Sequence, residues 1–206
     1  MYPTAEVRWF RTGSITLSVA DWFGRRAPPP QPESARVDRY LQPSGGDGLN
    51  VKLRAGRMEI KRRVSTAGQI RFTQQAAGLV ERWRKWSFDI GDTPGLARYA
   101  ARTTPDWVAV KKARLLKTYS FRAGELIFGG AAADGCEMEL THVEARGRTW
   151  WTLALEAFGE EATLVDNLVT VAKHVFEAPC PIRLRERDSR GYAGWLTETL
   201  RKEGAR

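Results

Sequence analysis

The stretch Leu49–Val64, LNVKLRAGRMEIKRRV, constrains this chain more than any other. Apolar and charged residues alternate on both sides of Ala55-Gly56, which is the pattern of two short strands joined by a tight turn. A two-residue turn sets Arg54 opposite Arg57, Leu53 opposite Met58, Lys52 opposite Glu59 and Val51 opposite Ile60. Val51, Leu53, Met58 and Ile60 then share one face. Lys52, Arg54, Arg57, Glu59 and Lys61 share the other, and Arg63 continues the charged row. The hairpin thus presents a mostly cationic face holding one carboxylate. Whether that face meets bulk water or a bound anion depends on the rest of the chain.

Charge favours an anion. The chain carries 33 Lys and Arg against 24 Asp and Glu, a net +9. Such an excess suits phosphates, nucleotides, nucleic acid or an acidic membrane surface. With 206 residues, 42% of them hydrophobic, wholesale disorder is excluded, and one domain spanning 1–206 is expected. Cys136 and Cys180 make no metal-type spacing and are too few for a disulfide framework. His142 and His174 belong to no HExxH pattern and have no triad context. Buried thiols and a satisfied histidine account for Cys136, Cys180 and His142. The opening MYPTAEVRWF lacks the layout of a signal peptide, and no apolar run is long enough to span a bilayer. A soluble, cytoplasmic protein without a membrane partner is expected.

Strand patterns recur along the chain. Ala5–Arg11 puts Glu6, Arg8 and Phe10 on one face and Val7 and Trp9 on the other. Ser14–Phe23 fits a strand and a short helix alike. Residues 24–36, GRRAPPPQPESAR, read as a Pro-rich exposed loop, followed by a strand at Val37–Leu41 and a Gly-rich turn at Pro43–Gly48. Gln69–Ala77 is ambiguous. Leu79–Ile90 alternates Val80, Arg82, Arg84 and Trp86 with Glu81, Trp83 and Lys85. Asp92-Thr93-Pro94 reads as a helix start and Leu96–Arg102 as a short helix. Trp107–Phe121 is a long strand with Val108, Val110, Lys112 and Arg114 on one side. Glu137–Glu144 and Trp150–Phe158 form two more, joined at Ala145–Arg148, with Trp151, Leu153 and Leu155 opposite Thr152, Ala154 and Glu156. Glu160–Glu177 shifts to helical spacing through Leu164, Leu168, Val171, Ala172 and Val175, and the tail carries a final helix on Tyr192, Trp195 and Leu196.

Three basic strand segments stand out: the central hairpin, Val80–Trp86 and Val108–Leu116. Each by itself reads as the wet face of a half-buried antiparallel sheet. Closed into a barrel, their charged faces line one interior, which needs interleaved carboxylates or a bound anion. The fold expected is mainly β (α+β), an antiparallel tunnel-like barrel of about eight strands with a few peripheral helices.

The order of segments resembles the CYTH domain, or triphosphate tunnel metalloenzyme superfamily. Lys52-Leu53-Arg54 is similar to its basic pair on an early strand, and Glu59-Ile60-Lys61 to its strand lysine. Lys112-Ala113-Arg114 is similar to its Lys-x-Arg strand. Trp150–Phe158 with the following helix resembles its penultimate strand, and Ser189–Leu196 its closing Ser-x-Tyr segment. The resemblance implies a tunnel whose basic side chains hold a triphosphate and whose glutamates hold Mg²⁺ or Mn²⁺. Two signatures depart from it. Where the family has Glu-x-Glu-x-Lys, this chain has Glu6-Val7-Arg8-Trp9-Phe10. Where strong members have Glu-x-Glu-x-Glu, Thr152-Leu153-Ala154-Leu155-Glu156 keeps the last acid alone.

Carried over, the resemblance makes Lys52, Arg54, Lys61, Arg63, Arg82, Arg84, Lys112 and Arg114 phosphate-binding residues, with Lys61 and Arg54 catalytic if hydrolysis persists. Glu6 and Glu156, with Glu59 or Glu139, either hold one ion or pair with neighbouring cations. A kept anion-holding half and a thinned metal-holding half favour binding over turnover. The expected partner is an anionic phosphate-containing small molecule: a triphosphate, polyphosphate or nucleotide. An active metal-dependent triphosphatase is the first alternative. The second is a nucleic-acid-binding barrel, suggested by the eight tryptophans and the run Trp83-Arg84-Lys85-Trp86.

Overall fold

The computed structural model describes residues 1–42, 46–90, 107–128 and 133–204. Its first half runs β1 (Tyr2–Thr12), α1 (Leu17–Arg25), β2 (Gln31–Pro32), β3 (Arg36–Leu41), β4 (Leu49–Arg54), β5 (Arg57–Arg71) and β6 (Ala77–Asp89). The second half runs β7 (Trp107–Arg122), β8 (Glu125–Phe128), β9 (Gly135–Ala145), β10 (Arg148–Phe158), α2 (Leu164–Phe176), a 3-10 turn (Glu186–Asp188) and α3 (Tyr192–Gly204). The helix expected at Leu96–Arg102 and the first half of the Pro43–Gly48 turn, residues 43–45, lie outside the described residues.

Eight strands close into an antiparallel barrel in the order β3-β4-β5-β6-β1-β10-β9-β7, with β7 pairing β3 again. The central hairpin has the register its turn dictates: Val51 faces Ile60, Lys52 Glu59, Leu53 Met58 and Arg54 Arg57. Ala55 and Gly56 both take positive φ, 46° and 74°, the geometry that matches a two-residue turn to strand twist. Ala123-Gly124 and Arg146-Gly147 repeat it in the β7–β8 and β9–β10 hairpins. Strand β5 carries two irregularities, at Arg63/Ser65 and Thr66/Gly68, which bend a 15-residue strand round the barrel.

The apolar core lies outside the barrel wall. Ala5, Val7 and Trp9 of β1, Met138 and Leu140 of β9, and Trp151, Leu153 and Leu155 of β10 pack under α1 and α2. Helix α2 contributes Leu164, Leu168, Val171, Ala172, Val175 and Phe176. The Ser14–Phe23 segment, where the pattern fits two structures, becomes α1. Thr16 caps it through Oγ1, which accepts the Val19 N–H at 3.4 Å, and Val19 and Phe23 turn inward. A smaller cluster of Leu53, Ile90 and Trp107 covers the outer face of the central hairpin.

The wall's inner face is mostly polar, and apolar side chains gather at one end. There Phe10, Tyr40, Val108, Val110, Val143 and Trp150 meet Tyr192, Trp195 and Leu196 of α3 and plug the barrel. Phe10 stacks on Trp195 with centroids 4.9 Å apart, and Tyr40 on Tyr192 at 5.3 Å. The plug is tied down by backbone. Arg190 N–H donates to the Arg8 carbonyl at 2.8 Å, and the Ser189 hydroxyl accepts the Leu79 N–H at 2.9 Å.

Candidate functional site

The barrel interior encloses a cavity of about 310 Å³. Its lining includes eight cations, Arg8, Arg36, Lys52, Arg54, Lys61, Lys85, Lys112 and Arg114, and five carboxylates, Glu6, Glu59, Glu137, Glu139 and Glu156. The volume falls at the small end of ligand sites, which span roughly 300–1,000 Å³.

Positive charge gathers on one wall. Glu59 of β5 faces Lys52 Nζ at 2.8 Å, Lys85 Nζ at 3.2 Å and Arg54 Nη1 at 3.8 Å, so one carboxylate serves three cations. Burial works to raise the Glu59 pKa, but Lys52 and Lys85 outweigh it and hold the carboxyl at about 2. Burial pulls Lys52 below its ordinary value despite Glu59, and Lys85 adds to that pull. The cluster is short of negative charge.

The facing wall is acidic. Glu81, Glu6, Glu156 and Glu137 stand opposite one another on four adjacent strands, β6, β1, β10 and β9. Lys61 reaches across from β5, its Nζ 2.6 Å from Glu156 Oε1 and 3.1 Å from Glu6 Oε2. Arg8 donates to Glu6 at 2.7 Å and to Glu139 at 2.6 Å, and Arg114 to Glu139 at 2.6 Å and to Glu33 at 2.5 Å. Burial tends to raise Glu6, yet Lys61 and Arg8 bring it down to about 2. Glu137 goes the other way: burial and the neighbouring Glu156 push it up.

At the plugged end Lys112 is buried 3.6 Å above the Tyr192 ring centroid, 3.1 Å from Asp38 Oδ2, and donates to the Tyr40 hydroxyl. Burial brings its pKa down to about 7, with Asp38 opposing and Lys52 assisting. Three further residues of the lining, each at least nine-tenths buried, carry a buried polar atom: Thr4 Oγ1, Trp83 Nε1 and Tyr192 Oη. None has a hydrogen-bond partner among the described residues. Buried donors without partners are costly, which favours a site that a polar ligand completes.

Of the residues singled out from sequence, Lys52, Arg54, Lys61, Lys112, Arg114, Glu6, Glu59, Glu139 and Glu156 converge on this cavity. Arg63 sits on the same face of the sheet as Trp83 but is held by Asp47 and Glu81, at 2.5 and 2.6 Å. Arg82 and Arg84 do not join it. They lie on the outer side of β6, where Arg84 pairs with Glu161 at 2.5 Å and Arg82 donates to the Glu161 carbonyl. Strand β6 points its other set, Trp83 and Lys85, inward, because cross-strand pairs share a face and Thr4 and Tyr2 of β1 already face the lumen. The run Trp83-Arg84-Lys85-Trp86 is therefore split between the two faces of the sheet.

Lys85, Arg8, Arg36 and Glu137 are lumen residues that the sequence reading missed, as is Asp38, buried against Lys112. The alternation of β6 carried the signal for Lys85, but the phase was read the wrong way round. Glu33 was missed for another reason. The Pro-rich segment contains β2, which pairs with Leu115 and Leu116 of β7, and this brings Glu33 to Arg114 and Arg36.

A hard divalent ion wants several free oxygens. Each of the candidate acids Glu6, Glu59, Glu139 and Glu156 already faces an ammonium or a guanidinium. Among the described residues no three Asp, Glu, His or Cys side chains gather as a metal site. As arranged, these residues do not present the donor set of Mg²⁺ or Mn²⁺. Compared with protein-family models and with curated proteins, the chain matches none.

Proposed function

We propose that this chain is a CYTH-like barrel that binds a triphosphate, polyphosphate or nucleotide in its lumen, with hydrolysis weak or lacking. The observation that carries the reading is the cationic wall: Lys52, Arg54 and Lys85 crowd a single carboxylate, Glu59. A linear polyphosphate supplies the missing negative charge as repeated oxygens, which suits a row of ammonium and guanidinium donors. The inward Lys52-x-Arg54 and Lys112-x-Arg114 pairs also support the likeness to tunnel triphosphatases. So do the unpartnered Trp83 and Tyr192 donors. Binding without turnover follows from the acids. Catalysis of phosphoryl transfer relies on metal charge at the phosphate oxygens, and the acids that would hold such an ion pair with lysine and arginine instead.

Thermal unfolding with tripolyphosphate or ATP, with released phosphate followed in parallel, tests the reading. The midpoint is expected to climb with ligand concentration, as for any ligand that binds the folded state alone, while free phosphate stays at background. A midpoint indifferent to both ligands would sink the proposal, and rapid phosphate release would replace it with an active triphosphatase.

A further inference from the structure

Lys61 occupies a particular place in the lumen. It starts on β5, and two strands, β6 and β1, separate β5 from β10 in the wall. Its ammonium nevertheless touches Glu156 of β10 at 2.6 Å and Glu6 of β1 at 3.1 Å. The side chain is a strut across the tunnel, and it ends where carboxylates of adjacent strands face each other in register. We infer that Lys61 is the resident counter-cation of Glu6 and Glu156, so that the lumen takes up its polyphosphate free of Mg²⁺ and Mn²⁺. The ligand part of this statement rests on the anion-binding reading above.

Three observations support it. A dication entering between Glu6 and Glu156 has to displace an ammonium already in contact with both, or sit against it with like-charge repulsion. The next carboxylate in the row, Glu137, faces Glu156 across a strand pair, so an ion held between those two still sits beside the Lys61 ammonium. Glu139 is closed off by Arg8 and Arg114 on its two oxygens, at 2.6 Å each. A barrel built this way recognises the uncomplexed polyanion. Metal ions in solution then compete with the barrel for the same phosphate oxygens instead of bridging the two.

Isothermal titration calorimetry of the full chain with tripolyphosphate, once in EDTA and once in excess Mg²⁺, reads the sign of the metal effect. The expected result is binding in EDTA that weakens, by about tenfold, when Mg²⁺ sequesters the free anion. Binding that needs metal, or that tightens with it, overturns the inference and leaves the anion-binding reading standing. Absence of heat in both conditions overturns the anion-binding reading and the ligand part of the inference with it.

The Lys61 assignment has its own readout: the ligand-free unfolding midpoint with millimolar Mn²⁺. The wild-type midpoint is expected to stay put, while K61M, with Glu156 released and Glu6 held by Arg8 alone, is expected to rise with the metal. A wild type that Mn²⁺ stabilises, or a K61M variant that ignores it, overturns the assignment. Should K61M fail to fold in EDTA, recovery of folded protein on adding Mn²⁺ supports it, and continued failure counts against it.

Discussion

Replacing Glu59 by Gln tests the cationic wall directly. The substitution keeps the shape of the side chain and removes the one negative charge that Lys52, Lys85 and Arg54 share at 2.8, 3.2 and 3.8 Å. Breaking a fully buried ion pair by removing one partner costs about 3–5 kcal/mol. The Glu59 side chain is 8% exposed, but those of Lys52 and Arg54 are 17% and 31% exposed, so water recovers part of the loss and the low end applies. A cost of about 3 kcal/mol lowers the midpoint of a chain this size by roughly 6–12 °C. Scanning calorimetry in a buffer free of phosphate and sulfate reads that loss. Tripolyphosphate should then restore more stability to E59Q than to the wild type, because the ligand supplies the charge that Gln lacks.

The acid limb gives a second reading of the same variant. The folded Glu59 pKa, about 2, lies below its ordinary 4.5, so its contribution is present above pH 4.5 and is lost as pH falls toward 2. E59Q should lose that part of the acid dependence. A midpoint within 2 °C (roughly 1 kcal/mol) of wild type, or a loss that polyphosphate does not repair, refutes the reasoning.

Three further outcomes are expected. R82A/R84A, on the outer face of β6, should leave tripolyphosphate affinity within about twofold of wild type, while K52A/K85A should weaken it by about tenfold or more, in a titration at fixed salt. Lys112 titrates near pH 7 when folded and at 10.5 otherwise, so the unfolded chain holds an extra proton between those values and wild-type stability should rise with pH, by at most about 1.4 kcal/mol per unit. Denaturant melts at pH 7 and 9 should show that rise in the wild type and not in K112M. A methyl at Gly135 would lie 2.5 Å from the Phe158 ring and 2.6 Å from the Tyr119 carbonyl oxygen, and backbone gives way poorly. G135A should therefore cost about 1–3 kcal/mol in a urea titration.

Much of the wall was legible as alternation. Once Ala55-Gly56 is a two-residue turn, every pair in the central hairpin follows, since a strand has a period of two and a slip of one residue would expose Val51, Leu53, Met58 and Ile60 together. The same period separates Glu6 and Arg8 from Val7 and Trp9, and sets Lys112 and Arg114 in line with Val108 and Val110. Helix α2 was legible because five apolar residues at helical spacing have no other way to share a face.

What alternation leaves undetermined is which of a strand's two faces turns inward when both carry charge. Strand β6 has Arg82 and Arg84 on one side and Glu81 and Lys85 on the other, and nothing local ranks them. The choice comes from its partner β1, whose apolar face must meet α2 and whose Glu6 therefore carries Glu81 to the inner side. Glu33 and Asp38 are beyond local reading for a similar reason: each matters through a cation on β7, more than 70 residues away in the chain, brought close by strand pairing alone. The sequence by itself determined the period of the central hairpin and of β1, β7, β9 and β10, the turn at Ala55-Gly56 and the basic character of the chain. Only closure of the sheet decided which charges meet, because a face becomes an interior when the last strand pairs with the first, and that pairing is a property of the whole wall.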